Sequence, residues 1–166
     1  LDMPGISVIG LFFLFYAGIA ILVRLSSRRL PDRIGPERVL LCGILLMSIG
    51  MLCFSLVHAG NPWMISIPAL LTGAGHSLMF HTMTSLTLQP FPLAVRGTGS
   101  AIALMMLDLG TFIGAPALGF LGERYGFSVL FATIGGFNLF SGMVYAWYSK
   151  AWRGTAEIKS GIPNSE

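Results

Sequence analysis

The sequence predicts an all-α integral membrane protein of five transmembrane helices. Three observations predict it: the apolar content, the spacing of the charges and the one-sided placement of the basic residues. Hydrophobic residues fill 54% of the 166 positions and charged residues 10%, with a mean hydropathy of +0.78, whereas a soluble domain carries about 25% charge. That much apolar surface exceeds what one small globule hides, so the bilayer is the natural solvent. The net charge of +3 would point to nucleic acid only if the basic residues formed a patch beside soluble structure. Here they punctuate apolar runs. No nucleic-acid partner is expected, and the lipid bilayer is.

Helices are expected at about 4–25, 39–58, 63–88, 97–120 and 127–148. The first run, Ile6 to Val23, carries no charge and has the spanning length. Arg24, Arg28, Arg29, Arg33 and Arg38 then crowd a loop that also holds Pro31, Gly35 and Pro36. The second run ends at His58, Ala59, Gly60, Asn61 and Pro62, a turn signal, and Trp63 opens the third as an interfacial aromatic does. Gln89, Pro90, Phe91 and Pro92 stop the third run; the fourth follows Arg96 and Gly97 and reaches the loop at Gly122–Gly126. The fifth closes on Tyr145, Trp147, Tyr148 and Trp152, an aromatic belt, and a polar tail is expected over 149–166. Cys42 and Cys53 lie in one run, about 16 Å apart along a helix, too far for a disulfide.

Counting basic residues by side sets the orientation. The face holding the Arg24–Arg38 loop also takes Arg96, Lys150, Arg153 and Lys159, and Arg124 alone falls on the other. That bias makes the first face cytoplasmic and the C-terminus internal. It leaves Leu1 outside with no basic leader before the first run, so the chain is expected to begin mid-protein, after an odd number of helices.

One loop recurs. Leu30-Pro31-Asp32-Arg33-Ile34-Gly35 is echoed ninety-one residues later by Leu121-Gly122-Glu123-Arg124-Tyr125-Gly126, with Leu, an acid, Arg and Gly in register. The copies fall on opposite sides of the membrane, as a three-helix repeat of inverted topology requires. At these residues the chain resembles the major facilitator superfamily, whose signature loop reads G-x-L-[AS]-D-R-x-G-[RK]-[RK]. Leu30, Asp32, Arg33 and Gly35 fit it; Arg28 stands where the first Gly belongs, Pro31 replaces the small residue, and Pro36-Glu37-Arg38 partly restores the basic end. The second copy keeps the leading glycine as Gly119. The resemblance implies the eighth to twelfth helices of a twelve-helix transporter, most of its C-terminal bundle, with an upstream N-terminal bundle as intramolecular partner. It implies a plasma-membrane protein (inner membrane in a bacterium) and a gating loop formed by Asp32, Arg33, Gly35 and Arg38. Asp32 is also placed to accept hydrogen bonds from neighbouring arginines or to face the N-terminal end of the fourth helix, while positive-inside anchoring accounts for Arg24, Arg28 and Arg29.

Asp108 is the acidic residue inside a spanning segment, at its midplane, where a carboxylate costs several kcal/mol unless paired, protonated or beside water. His76 is central in the third run, at the same depth, and His81 lies nearby. A histidine and a carboxylate can carry a proton near neutral pH, and a structural hydrogen bond is the alternative. Gly73, Ser77, His81, Thr84 and Ser85 form one polar stripe, which serves either a substrate cavity or tight helix packing. Gly110, Gly114 and Gly119 present small residues for close helix crossing, and Pro116 removes a backbone donor where the helix can flex. Asn138 is read as a structural hydrogen-bonding group and the nine methionines as gap-fillers. Gly73-Ala74-Gly75-His76-Ser77 lacks the spacing and lysine of a phosphate loop.

These readings converge on secondary transport of a small molecule by alternating access, proton-coupled, with no bound cofactor, no metal and no enzymatic chemistry. By family likeness, efflux of a drug-like compound or sugar ranks ahead of nutrient uptake. The rival readings are a non-transporting receptor or scaffold that keeps the transporter fold, and an intramembrane enzyme, for which Asp108 and His76 are the one candidate pair.

Overall fold

The computed structural model describes residues 8–57 and 62–160. Its elements are α1 (Val8–Ser26), α2 (Leu30–Ile34), α3 (Pro36–Ser55), a 3-10 turn (Pro62–Ile65) leading into α4 (Ser66–Leu88), a second 3-10 turn (Leu93–Val95), α5 (Arg96–Tyr125) and α6 (Phe127–Ser160). Among the described residues there is no strand, and five helices are long and apolar enough to cross a membrane. The turn expected at His58, Ala59, Gly60 and Asn61 lies outside the described residues.

Two boundaries differ from the sequence expectation for one reason. Leaving the membrane and ending a helix are separate events. α5 runs to Tyr125 rather than 120 because no residue before Gly126 forces the backbone out of the helix. In α6 the apolar span ends at Ser149, but the helix continues to Ser160, so most of the segment read as tail is helical. The arginine-rich loop also contains a helix: Pro31 sits in the first turn of α2, where its missing N–H removes no intrahelical bond.

The repeated loop is repeated in its backbone. Gly35 has φ 88° and Gly126 has φ 86°, and among the described residues no other takes positive φ. Each glycine closes one helix and opens the next. The Gly35 N–H donates to the Pro31 carbonyl at 3.0 Å and the Gly126 N–H to the Gly122 carbonyl at 2.9 Å; the carbonyls of Gly35 and Gly126 then accept from Val39 at 3.3 Å and Leu130 at 3.2 Å. With ψ of 142° and 163° these residues lie near a region that only glycine enters without strain.

Packing centres on α3, which has α4 on one face and α6 on another, while α1 packs against α4. The α3–α4 contact is backbone to backbone. A Cβ built on Gly75 would lie 2.6 Å from the Met47 amide nitrogen and 2.8 Å from the Gly43 carbonyl oxygen; one on Gly43 would lie 2.9 Å from the Met79 nitrogen, and one on Gly50 would lie 2.6 Å from the Thr72 methyl. Towards α6, Gly135 meets Leu52 and the Ser48 carbonyl, Gly142 meets Ile44, and the Phe54 and Phe131 rings stack with centroids 5.0 Å apart. Asn138 makes the interhelical bond expected of it: its Nδ2 donates to the Ser48 hydroxyl at 3.1 Å and to the Ile44 carbonyl at 3.3 Å. On the α1 side, Gly73 is pressed against Tyr16 and Ile19.

Leu11, Val39 and Leu40 are buried, but much of the buried set is small or polar, and many large apolar side chains are exposed. Ser48, Thr72 and Thr82 are buried to 2% exposure or less, while Phe112, Phe137 and Trp147 exceed 70%. A water-soluble domain sorts its residues the other way, and helix association in lipid favours small residues at the contacts. α5 is the outlying helix: it meets α4 and α6 near its ends, and Gly99 and Gly122 are its buried residues.

Two sets of glycine variants test this packing. Gly75→Ala is expected to destabilise the intact protein in detergent by about 1–3 kcal/mol through overpacking, whereas Gly110→Ala, with open space around it, is expected to leave the melting temperature unchanged or raise it. Equal melting temperatures would contradict the α3–α4 contact. Gly35→Ala and Gly126→Ala also meet no neighbour within 4 Å, so any loss reports backbone strain alone, about 1–3 kcal/mol at each site. Unchanged denaturation midpoints for both would remove the conformational argument.

Candidate functional site: a basic cleft between α1 and α4

The site forms where α1 runs alongside α4. Ser77, near the middle of α4, donates its hydroxyl to the Ala20 carbonyl of α1 at 3.0 Å, a bond that locks the two helices in register. Four residues earlier, Gly73 allows the close approach of Tyr16 and Ile19. Beside these contacts, towards the arginine end, lies a cleft of about 240 Å³. Its walls are Ala20, Ile21 and Arg24 from α1 and His76, Ser77, Phe80 and His81 from α4.

The imidazole of His76 stacks on Phe80 with centroids 5.9 Å apart and planes 8° apart, and the Tyr16 ring lies 6.1 Å from it. These neighbours pack against the ring; His76 is exposed, as is His81. His81 stands about 7.5 Å further along the helix axis, towards the arginine end. Arg24, in the last turn of α1, lines the same cleft. Its guanidinium donates hydrogen bonds and carries positive charge, and each imidazole adds polar nitrogens. Such a set suits an acceptor or an anion.

The polar stripe expected along α4 divides by depth. Gly73 and Ser77 pack against α1, with Ser77 lining the cleft as well, whereas His81, Thr84 and Ser85 are exposed and Thr84 returns its hydroxyl to the Phe80 carbonyl at 2.9 Å. Asp108 is exposed on α5 and does not line the cleft that holds His76. Equal depth along two helices has not become contact. Gly110 and Gly119 are exposed, and around Gly110, Gly114 and Gly119 a Cβ would meet nothing within 4 Å, so among the described residues no helix crosses them there. Pro116 sits inside the continuous α5.

In the loop after α1, Asp32, Arg33 and Arg38 are exposed and Gly35 provides the turn between α2 and α3. Leu25, Ser26, Arg28, Arg29, Leu30 and Arg33 line a cavity of about 520 Å³ there. Sequence reasoning did not select Arg24, Tyr16 or Phe80 for the site. Arg24 reads as an anchor because it ends an apolar run, and only the crossing with α4 turns it towards the histidines. It also missed the packing glycines of α3 and α6, whose signal was present: Gly43 and Gly50, and Gly135 and Gly142, are each seven residues apart and so share a helix face.

Similarity to known proteins agrees with this architecture. The chain is 31% identical over 129 residues to an uncharacterized MFS-type transporter of Pseudomonas aeruginosa, covering 75% of this chain and 32% of that protein. It is 26% identical over 151 residues to the multidrug resistance protein MdtG of Salmonella typhimurium, covering 89% and 36%, and 30% identical over 105 residues to the putative multidrug resistance protein MdtD of Cronobacter sakazakii, covering 63% and 22%. The chain thus spans about a third or less of the length of these relatives. No solved structure matches it. The family model of the Major Facilitator Superfamily matches residues 4–164, nearly the whole chain, and the chain belongs to that family.

Proposed function

We propose that this chain supplies five helices of a secondary active transporter that moves a small molecule across the membrane by alternating access. The observation that carries the reading is the cleft itself: two histidines, an arginine and a serine gathered on facing apolar helices, inside the length expected to cross the bilayer. Polar and ionisable groups at such depth are costly, and their usual return is a substrate or ion path. α1 and α4 would form one wall of that path. The other wall would come from an upstream helical bundle, towards which the large exposed apolar side chains of α1 and α5 could also turn.

Export of a drug-like compound, driven by protons, is the finer form of the proposal. Its support is that relatives at 26–30% identity carry multidrug resistance in their names. Asp108 is the proposed proton-coupling carboxylate. Its place on an outlying helix, away from the cleft, supports a role facing the remaining helices of the protein rather than a pair with His76. In the arginine-rich loop, Asp32, Arg33, Gly35 and Arg38 are the proposed gate, with Gly35 giving α2 a fixed stop before α3 begins. The count of basic residues supports a C-terminus on the same, cytoplasmic side.

Two variants of the intact protein in proteoliposomes test this reading. Asp108→Asn is expected to uncouple flux from an imposed pH gradient, lowering gradient-driven transport at least about tenfold while downhill exchange continues; a tenfold change corresponds to about 1.4 kcal/mol. An unaltered gradient dependence would remove Asp108 from the mechanism. Asp32→Asn is expected to slow turnover with little change in half-saturation, since a gating residue alters the exchange of states and not the substrate contacts. Wild-type rates in a correctly inserted protein would exclude the gate.

A further inference from the structure

Three cavities adjoin around the end of α1, the outer one against α2 and the inner two against α4. The outermost is the space of about 520 Å³ beside Arg28, Arg29 and Arg33. Arg28 also lines the next, a constriction of about 20 Å³ shared with Arg24, Ser77 and His81. Arg24, Ser77 and His81 in turn line the cleft that ends at His76 and Phe80. The inner two share Arg24, Ser77 and His81, whereas the outer one is walled by the end of α1 and by α2 and meets them at Arg28. Four arginines and two histidines line the three, and among the described residues no aspartate or glutamate does.

Topology alone does not account for this arrangement. A positive-inside bias places basic residues on one side of the membrane; it does not gather them around adjoining cavities without carboxylates, when Asp32 and Glu37 lie in the same loop. A groove of one sign with low-dielectric walls concentrates ions of the opposite sign and repels its own. A cation would be repelled by Arg28 and Arg24 at the cleft. A carboxylate, phosphonate or sulfonate would meet guanidinium forks, each able to donate two bonds. At the inner end the acid group would reach Arg24 and His81, and the stacked rings of His76 and Phe80, with Tyr16 behind them, offer faces for a planar apolar body. The constriction has room for about one water, so passage requires the side chains of Arg24, Arg28 and His81 to move.

We infer that the compound carried is an organic anion, one acid group joined to an aromatic or similarly planar body, held in the cleft at Arg24 and His81. The inference deepens the transport reading above and rests on it.

The test is equilibrium binding to the intact protein in nanodiscs of phosphatidylcholine, a lipid without net charge, using naphthalene-2-carboxylate, naphthalene-2-carboxamide and 2-naphthylmethylammonium. The carboxylate is expected to bind at least about tenfold more tightly than either matched probe, and Arg24→Gln to weaken it by about tenfold or more, with Arg24→Lys recovering part of the loss. Arg124→Gln, at the opposite end of the bundle, is expected to leave binding unchanged. Equal or tighter binding of the ammonium overturns the inference, as does an unchanged carboxylate affinity in Arg24→Gln protein of normal melting temperature. If Arg24→Gln does not fold, His81→Gln and the cleft-filling Ala20→Phe are read in its place, and unchanged carboxylate binding in both overturns it equally. The transport reading fails separately. A protein that exports ammonium or neutral compounds and ignores the carboxylate sinks the anion and leaves transport standing; one that binds the carboxylate through Arg24 yet moves nothing across a vesicle membrane sinks transport and leaves the site.

Discussion

The close approach of α3 and α4 at Gly43, Gly50 and Gly75 is the contact on which the remaining architecture depends. In lipid there is no hydrophobic force to press one apolar helix against another, because the surrounding tails are as apolar as leucine. What remains is dispersion between closely fitted surfaces and hydrogen bonds across the interface, and both fall away steeply with distance. Glycine brings the helix backbones to a separation that larger residues prevent. With α4 fixed on one face of α3, the opposite side of α4 is presented to α1 at a defined height, and only then can Ser77 reach the Ala20 carbonyl. The cleft is a consequence of that order. It is walled by Ser77 and Ala20, the residues that make the contact.

The same logic explains why the interior of this bundle is polar in places. Ser48 bonds the carbonyl of its own helix and receives Asn138 from α6; Thr72 and Thr82 turn their hydroxyls back onto α4. Each is a small side chain that satisfies itself locally, so burying it in a contact strands no donor. The Asn138–Ser48 pair and the Ser77–Ala20 bond spend this capacity on another helix, the former beside Gly135 and Gly142, where α3 and α6 are already close. Small residues and local hydroxyls are therefore one device. They thin the interface and keep it satisfied.

Much of this was legible in the sequence, and what was not shares a cause. The five spans, the arginine-rich loop and the echo ninety-one residues apart were legible because they depend on composition and local order; the echo extends to the dihedral angles of Gly35 and Gly126. Helix ends were less so: apolar content marks where a segment leaves the membrane, whereas α6 continues through polar residues that propagate a helix without difficulty. Pairing between helices was the least accessible. Asp108 and His76 share a depth that spacing along each helix reveals, but the rotation and tilt that decide contact come from packing elsewhere, at glycines near neither residue. Arg24 was hidden for the same reason. A charge at the end of an apolar run looks like an anchor until the facing helix is known.

The exposed length of α5 follows from how it is held. It is fixed near its ends, by Gly99 against the Phe91 ring and by Gly122 against Leu130, and between those points no residue is buried. Asp108, the small residues at Gly110, Gly114 and Gly119, and Pro116 all lie in this free stretch. A carboxylate in a lipid-facing position would carry its full desolvation cost, and small residues in such a position would give up contact area without closing on anything. Both features make physical sense only if α5 meets protein or water along this stretch. The five helices therefore bear two unfinished surfaces, one at the α1–α4 cleft and one along α5. Because Asp108 belongs to the second and the histidines to the first, any coupling between them must pass through relative motion of helices and not through a shared proton across a direct contact.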